Sequence, residues 1–390
     1  MTSAVEDRPT CSIVLPTFNR AHLVGDAIES VLQQTLDDWE LLVVDDGSTD
    51  DTSLVVERYR DRRIVYVRQE HRGRSVARNR GAELARSDLL GFLDSDDRLL
   101  PHALTAHRQV FEAQPDIGMT VGGYQRIDEA GEILGTRTPW TEDGDLTYRG
   151  WFCNCFGVPG SVMIQRGWLE RVKGFGPEFE PAEDWDLFLR LAIAGCPMTW
   201  VRESVLQYRS HPGNSTRALQ EHLQGMVSVI ERLARSTELP LDGRSLIPRA
   251  LAWTYAVSAC RAIALGADEH ARRSLQLARE AGGIPAWRCS RWSASPEGFE
   301  SLLEPLLAEL VARSRDGAAD LSAPLRWGLS KRDVRRAMAR LDMRAFFVSA
   351  ARGRSADAGR LLRLGLRRDP RWLLNRGVAG YLLGRPGGHG

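Results

Sequence analysis

Short apolar runs alternate with helical patterns over the first hundred residues, and this alternation restricts the fold more than any other feature of the chain. Each run is mostly apolar over four to six residues, as is typical of strands that are buried on both faces of a sheet. Strands and helices that alternate at this spacing predict βαβ units and an α/β fold with a parallel sheet. The predicted strands are 11–15, 39–44, 64–67 and 89–93, and the helices between them are 22–34, 51–59 and 75–86.

Polar clusters follow the first, second and fourth of these strands. In such sheets, ligands bind beyond the carboxyl ends of the strands, so the three clusters predict one binding crevice. No G-x-G-x-x-G follows the first strand and no G-x-x-x-x-G-K-[ST] is present, which argues against a dinucleotide-binding fingerprint and a P-loop. The clusters are Pro16-Thr17-Phe18-Asn19, Asp45-Asp46-Gly47-Ser48 and Asp94-Ser95-Asp96-Asp97.

Six motifs of the chain resemble those of family 2 glycosyltransferases, and they occur in the order in which that family has them. The resemblance covers about residues 10–217 and implies a GT-A fold, which is a Rossmann-like nucleotide-sugar-binding domain. It also implies an inverting, metal-dependent enzyme that moves a sugar from a nucleotide-diphosphate sugar to an acceptor hydroxyl. The motifs are SIVLPTFN (12–19), VVDDGSTD (43–50), ARN (77–79), FLDSDD (92–97), EDWDLFLR (183–190) and YRSHPGNS (208–215).

The acidic cluster after the fourth strand is the candidate metal site. A leaving diphosphate develops negative charge, which a divalent cation with oxygen ligands stabilises. Mn²⁺ or Mg²⁺ is the expected cofactor, held by one or two carboxylates together with phosphate oxygens and water. The resemblance assigns the metal to Asp96 and places Asp94 or Asp97 on the metal or the ribose, with His211 reaching the metal or the diphosphate. Spacing alone does not decide among the three carboxylates, and an isolated cluster of this kind is usually a solvated turn.

The resemblance also implies residues for the nucleotide sugar. Asp46 would bind the base or ribose while Asp45 positions it, or the reverse, although Asp-Gly-Ser is also ordinary turn chemistry. Arg78 would meet the diphosphate, because a planar guanidinium suits phosphate oxygens, and Arg72 and Arg74 are alternatives. A plain helix-surface arginine is the competing interpretation of Arg78. The remaining candidates are Pro16, Thr17, Asn19, Asp94, Ser95 and Gly160-Ser161.

Sugar transfer needs a general base that takes the proton of the acceptor hydroxyl, and a positioned carboxylate serves this purpose. The resemblance gives the role to Asp184, with Glu183 as the alternative. Acidic residues also favour the first turn of a helix, so a helix start is a second explanation that is compatible with the first. Trp185 is predicted to be a core residue rather than a platform for a sugar.

The second half of the chain has helical patterns without strands between them. The predicted domains are a catalytic domain over residues 1–217 and an α-helical, Arg-rich domain over 218–390. Residues 1–220 carry 24 basic and 34 acidic side chains, whereas the last 70 residues carry 16 basic and 4 acidic ones. The predicted helices are 218–236, 246–265, 268–281, 297–314, 330–349 and 355–366.

The basic stretch 332–376 is compatible with an anionic membrane surface, a lipid-phosphate acceptor, an acidic peptide or a solvated helix face. No segment is apolar enough to span a membrane, so the cytoplasm is the expected compartment, with peripheral contact at the inner membrane surface. Nothing resembles a nucleic-acid-binding module.

Two classes of function remain after this reasoning. The first is a glycosyltransferase with a UDP sugar as the commonest donor in the family. Its acceptor would be an envelope glycan, a lipid carrier, a natural product or a peptide held by the helical domain, and a homodimer is compatible with it. The second is a non-catalytic scaffold that binds a nucleotide sugar.

Overall fold

The computed structural model describes residues 8–141, 144–153, 155–211, 213–214, 218–264, 267–281, 362–363 and 366–367. The chain divides into two compact units, Met1–Thr254 and Tyr255–Gly390. The strands are β1 (Cys11–Thr17), β2 (Trp39–Asp45), β3 (Ile64–Arg68), β4 (Leu89–Phe92), β5 (Arg98–Leu99), β6 (Met119–Ile127), β7 (Ile133–Arg137), β8 (Val162–Gln165) and β9 (Met198–Arg209).

Within the described part of the chain, the nine α-helices that end before residue 245 lie wholly in the first unit, together with the sheet. Helix α10 (Ile247–Ala264) crosses the division between the two units, and α11 (Asp268–Glu280) belongs to the second. The helices are α1 (Val24–Leu32), α2 (Thr52–Val56), α3 (Arg74–Leu84), α4 (Ala103–Ala113), α5 (Tyr148–Cys153), α6 (Arg166–Arg171), α7 (Glu183–Ile193), α8 (Leu219–Arg235), α9 (Leu241–Arg244), α10 (Ile247–Ala264) and α11 (Asp268–Glu280).

The predicted α/β fold is confirmed. Within the described residues the nine strands form one sheet in the order β3-β2-β1-β4-β8-β6-β9-β5, with β7 paired to β6. Strands β1 to β4 are parallel to one another, whereas β8 runs antiparallel to both β4 and β6. Thr17 at the end of β1 pairs with Asp45 at the end of β2. The polar clusters therefore reach the same edge of the sheet, as their positions in the sequence predict.

Burial on both faces explains why the strands read as continuous apolar runs. All seven residues of β1 and all seven of β2 are buried. Val14 contributes to the core on one face of the sheet, and Ile13 and Leu15 contribute to the core on the other. Helix α3 packs so closely on β1 that a Cβ at Gly81 would lie 2.3 Å from Val14 Cγ1. A side chain at residue 81 would force helix and sheet apart.

Helix α8 packs into the first compact unit, although its sequence pattern resembles that of the later helices. Met226, Val229 and Ile230 are buried in the same apolar cluster as the inner face of α7. Arg232 of α8 also contacts Asp186 of α7, with 2.9 Å between Nη2 and Oδ1. The division of the chain by function at residue 217 stays a prediction, since the compact unit continues to Thr254.

Three of the helices predicted for the second half agree with α8, α10 and α11 to within one residue at each end. Helices 297–314 and 330–349 and the basic stretch 332–376 lie outside the described residues apart from 362–363 and 366–367, and the described part of the predicted helix 355–366 is helical. In the part of the chain that the structure describes, no helix combines the length and apolar character that crossing a membrane requires.

Candidate active site

The loop after β1 and the loop after β2 are bound to each other at the edge of the sheet. The Asp46 N–H donates to the Thr17 carbonyl at 2.9 Å. Asn19 has a φ of 52°, a left-handed conformation that asparagine tolerates better than most residues. Its Oδ1 accepts from the Thr49 N–H at 2.8 Å, and its own N–H donates to Ser48 Oγ at 2.9 Å. Asn19 therefore shapes the site by holding two loops together.

Asp45 is fully buried, and its side chain stabilises the turn after β2. Its Oδ1 accepts from the Ser48 N–H at 2.7 Å, and the Tyr66 hydroxyl donates to its Oδ2 at 2.5 Å. Gly47 follows with a φ of +86°, and a Cβ there would lie 2.9 Å from the His71 nitrogen. Glycine at residue 47 thus allows the positive φ of the turn and leaves room for the loop that follows β3.

Asp46 is buried and anchors that loop, residues 69–73. Its Oδ1 accepts from Gln69 Nε2 at 2.7 Å and from the Arg72 N–H at 3.0 Å. Its Oδ2 accepts from the Gly73 N–H at 2.8 Å and lies 2.8 Å from His71 Nδ1. A nucleotide that binds to the Asp46 carboxylate must replace some of these protein donors with its own N–H or O–H groups.

Thr17 presents an unsatisfied polar atom at the same edge. Its side chain is 3% exposed, and its Oγ1 has no hydrogen-bond partner. Buried hydroxyls are nearly always paired, so an orphan at the end of a strand is a position where a ligand would supply the missing partner. Pro16, which precedes it, is buried within β1.

The acidic turn, residues 94–97, gives each of its three carboxylates a different partner. Asp94 accepts from Arg78 Nη2. Asp96 Oδ2 lies 2.9 Å from His211 Nε2, and Asp97 Oδ1 accepts from the Arg209 N–H at 2.9 Å. Ser95 between them is buried. The turn thus contacts helix α3, the last residue of β9 and the segment that follows β9.

The pKa values of Asp96 and Asp97 are shifted in opposite directions by their surroundings. Burial alone would raise the pKa of Asp96, but the hydrogen bond and charge of His211, together with Arg20, hold that pKa below its usual range. Burial and the neighbouring charges of Asp96 and Asp94 raise the pKa of Asp97 well above its usual range. Asp96 is therefore better suited than Asp97 to carry negative charge at this turn.

Arg78 lies between two carboxylates in the interior of the protein. Its side chain is 1% exposed, its Nη1 donates to Glu183 Oε1 at 2.7 Å, and its Nη2 donates to Asp94. The guanidinium is enclosed by protein. Arg78 is therefore not an arginine on a helix surface, and it does not line an open diphosphate site. Arg74 also contacts Glu183, with 2.6 Å between Nε and Oε1. The predicted contact of Arg78 with a diphosphate stays a prediction, and the observed partners differ from it.

Glu183 and Asp184 begin helix α7 and have opposite electrostatic surroundings. Burial alone would raise the pKa of Glu183, but Arg74 and Arg78 lower it. Burial, followed by the charge of Glu183, raises the pKa of Asp184 to about 6. Asp184 is half-buried, and its Oδ1 accepts from the N–H of the next residue, Trp185, at 2.7 Å.

Trp185 is a core residue, as predicted. Its side chain is 2% exposed, its Nε1 donates to the Trp151 carbonyl at 2.7 Å, and its ring packs beside Trp253. Ser161 is fully buried, and its Oγ contacts both the N–H and the carbonyl of Val158. A Cβ at Gly160 would lie 2.6 Å from Leu206 Cδ1. Gly160 and Ser161 thus pack tightly within the protein.

Among the described residues, no group of three or more His, Cys, Asp and Glu side chains is placed to hold a metal ion. The pair Asp96 and His211 supplies one carboxylate oxygen and one imidazole nitrogen, 2.9 Å apart. Two protein donors fit an ion that completes its shell with phosphate oxygens and water. A metal requires His211 in its neutral form, because an Nε2 that donates a proton to Asp96 has no lone pair to offer. In that form the donor set is compatible with Mn²⁺ or Mg²⁺ bound together with a diphosphate.

The sequence of the chain matches known proteins over the part that carries most of this site. A family profile described as "Glycosyl transferase family 2" matches residues 12–172. The putative teichuronic acid biosynthesis glycosyltransferase TuaG of Bacillus subtilis is 30% identical over 206 residues, which are 52% of this chain and 79% of TuaG. The chain belongs to glycosyl transferase family 2.

Two other comparisons extend this result. The validoxylamine A glucosyltransferase of Streptomyces hygroscopicus subsp. jinggangensis is 34% identical over 238 residues, 52% of this chain and 56% of that protein. The chain thus spans about half the length of this relative. The mannosyltransferase PcManGT of Pyrobaculum calidifontis, solved with GDP-Man and Mn²⁺, has a TM-score of 0.53 at 18% identity and covers 82% of this chain and 86% of that one. At this identity the likeness concerns the fold.

Within this family 2 fold, the structure brings most of the predicted site residues to one edge of the sheet. It also adds Arg209, whose side chain and backbone both contact the acidic turn. Arg209 lies within the YRSH motif, but its partners Asp26 and Glu129 are distant in sequence. No sequence pattern could have indicated them, because their proximity depends on the order of the strands.

Proposed function

We propose that this chain transfers a sugar from a nucleotide-diphosphate sugar to an acceptor hydroxyl, with Asp184 as the general base. The observation that carries the proposal is the contrast between two adjacent carboxylates at the start of α7. Asp184 is half-buried with a pKa raised to about 6, and Glu183 beside it is enclosed by Arg74 and Arg78. A base with a pKa near neutrality is ionised at pH 7 and still accepts a proton readily.

Glu183 is less suited to be the base. Its two carboxylate oxygens accept from guanidinium groups, with Arg78 on Oε1 and Arg74 Nη2 on Oε2 at 3.1 Å. Protonation would weaken these charge-assisted contacts, so the carboxylate resists taking a proton. Glu183 instead places negative charge beside Asp184 and supports the start of the helix that carries it.

The donor end of the site is proposed at the ends of β1, β2 and β4. Thr17, with its orphan hydroxyl, and Asp46 would contact the nucleotide, while Asn19 and Asp45 hold the loops. Asp96 and His211 would hold the divalent cation, with Asp94 and Asp97 beside them. When bound, the cation would neutralise charge on the departing diphosphate.

Inversion at the anomeric carbon is part of the proposal, because the base would take the proton of a hydroxyl that attacks opposite the leaving diphosphate. The relatives support a hydroxyl of a glycan or natural product as acceptor, since their names refer to teichuronic acid and validoxylamine A. The anomeric configuration of the product tests this step, and retention would contradict it. A peptide acceptor, a homodimer and a membrane contact through the basic stretch remain predictions from the sequence.

The first test is a thermal-shift panel of UDP, dTDP and GDP sugars with Mn²⁺, with Mg²⁺ and with EDTA. A ligand that binds the native state alone raises the unfolding temperature, so we expect a shift with one nucleotide that requires the metal. The second test is Asp184→Asn, which should retain the donor-induced shift and lose transfer. Transfer at the parent rate by this variant would remove Asp184 from the role of base, and parent protein that binds donors without any transfer would indicate a scaffold.

A further inference from the structure

We infer that Arg209 is a positioning residue that holds the acidic turn, residues 94–97, in the place from which Asp96 and His211 act. The inference rests on the proposed function for its consequence, since it concerns the donor end of that site. Arg209 is the last residue of β9 and is 3% exposed. A guanidinium taken out of water in this way needs partners for its N–H groups, and each of them has a specific location.

The side chain of Arg209 joins three separate segments. Its Nε donates to the Asp96 carbonyl at 2.9 Å, and its Nη1 donates to the Glu129 carbonyl in the turn between β6 and β7 at 3.0 Å. Its Nη2 donates to Asp26 Oδ2 in α1 at 2.8 Å. A planar guanidinium donates in fixed directions, so these contacts set both the distance and the orientation of the turn.

The backbone around Arg209 adds two further contacts to the same arrangement. The Arg209 N–H donates to Asp97 Oδ1 at 2.9 Å, and the Arg209 carbonyl accepts from Asn214 Nδ2 at 3.1 Å. Asn214 Oδ1 in turn accepts from the His211 N–H at 2.6 Å. Arg209 therefore positions the backbone of Asp96 on one side and the segment that carries His211 on the other.

The turn needs such support because the strand that follows it is short. Residues 94–97 lie between β4 and β5, and β5 is only Arg98–Leu99, paired with β9 over two residues. A two-residue strand contributes little hydrogen bonding to fix the turn before it. The carbonyl of Asp96 is instead held by a side chain, so loss of that side chain should let the turn move while the sheet stays intact.

Arg209→Gln is the test variant and Arg166→Gln is its matched control. Arg166 is also an arginine that binds backbone carbonyls, with Nη1 on Ala82 at 2.7 Å and Nη2 on Ala85 and Ser87 at 2.7 Å each. The carbonyls that Arg166 binds precede β4 in the sequence, whereas the acidic turn follows β4. Both variants lose side-chain contacts to carbonyls, but only Arg209→Gln loses contacts to the turn.

The first measurement is hydrogen exchange of the peptide that covers residues 93–99, without metal or donor. We expect exchange at least tenfold faster in Arg209→Gln than in the parent and no change in Arg166→Gln. The second is binding of Mn²⁺ with the UDP or GDP sugar that the parent binds, measured as Kd. We expect the Kd to rise at least tenfold in Arg209→Gln and less than twofold in Arg166→Gln.

Parent-like exchange in Arg209→Gln, or an equal rise in Kd in both variants, would overturn the inference, because Arg209 would then act on stability alone. If Arg209→Gln does not fold, Arg209→Lys replaces it. Lysine keeps the charge but cannot reach three partners in fixed directions, so the same two changes are expected in smaller measure. If the parent binds no nucleotide sugar, the proposed function fails, and the exchange measurement still decides whether Arg209 positions the turn.

Discussion

Arg78 and Glu183 form an ion pair in the interior of the protein, with 2.7 Å between Nη1 and Oε1. The two side chains are 1% and 3% exposed. The second Nη of Arg78 contacts Asp94, so one guanidinium links the acidic turn to the start of α7. Carboxylates that are 89 positions apart in the sequence thereby share one cation. The donor end and the base end of the proposed site are joined through helix α3.

Arg78→Gln should lower the free energy of unfolding by about 3 kcal/mol, because it takes one of two cations from the buried Glu183 and the cation from the part-buried Asp94. Arg80→Gln is the control from the same helix, since Arg80 contacts Glu83 at 3.3 Å with both side chains largely exposed. Its loss should cost about 0–1 kcal/mol. Urea unfolding measures both, and similar losses would contradict the buried role of Arg78.

The rate of transfer should fall as the pH drops below about 6, because the base is active only as its carboxylate and Asp184 has a pKa of about 6. The pH profile of kcat/KM reports this ionisation. Glu183→Gln should move the acid limb to lower pH, since removal of a neighbouring negative charge lowers the pKa of Asp184. Arg74→Gln should move it to higher pH.

Glu178→Gln serves as the control for these profiles, because Glu178 is exposed in the turn just before α7. Its removal should leave the acid limb in place. An acid limb that stays put in Glu183→Gln, or that moves equally in Glu178→Gln, would show that the ionisation belongs to another group.

Asp97→Asn should weaken the dependence of stability on pH. The pKa of Asp97 is raised well above its usual range by burial and by Asp96 and Asp94, so the folded state holds a proton that the unfolded state releases. Stability is therefore lost as the pH rises from the unfolded pKa towards the folded one. The amide still accepts from the Arg209 N–H.

The unfolding temperature of Asp97→Asn, measured in EDTA, should exceed that of the parent more at pH 8 than at pH 5. Asp51→Asn, a change at an exposed position before α2, is the control and should follow the parent at both pH values. A variant that loses more stability at pH 8 than at pH 5 would contradict the raised pKa.

Ile230→Ala should lower the free energy of unfolding by about 2–5 kcal/mol, because it removes a fully buried side chain and leaves a cavity. Leu54→Ala is the matched control on a 53% exposed helical residue and should change it by less than about 0.5 kcal/mol. Denaturant unfolding compares the two. Equal small losses would mean that α8 does not belong to the cooperative core of the first unit.

The arrangement of strands and helices could be predicted well because its signals are local. The apolar runs at β1, β2 and β4 are continuous since both faces of the sheet are covered, and the polar clusters follow each run at once. A chain segment shows both features without any knowledge of its neighbours. The close agreement for α8, α10 and α11 has the same origin, because helical periodicity extends over many consecutive residues.

The roles within the site were harder to predict, because they depend on contacts between distant segments. Asp45 and Asp46 are equivalent in the sequence, and only the fold gives Tyr66 to the first and the 69–73 loop to the second. Arg78 has the same residue type and helical context as Arg80, yet the packing of α3 encloses one and exposes the other.

By itself, the sequence determined the fold class, the edge of the sheet at which the polar residues gather and the family to which the chain belongs. The tertiary structure decided which carboxylate is enclosed by arginines, which one is left with a raised pKa, and that Arg209 supports the acidic turn. The physical reason is that hydrophobic periodicity is a property of neighbouring residues. Desolvation and ion pairing arise only when segments distant in the sequence come together.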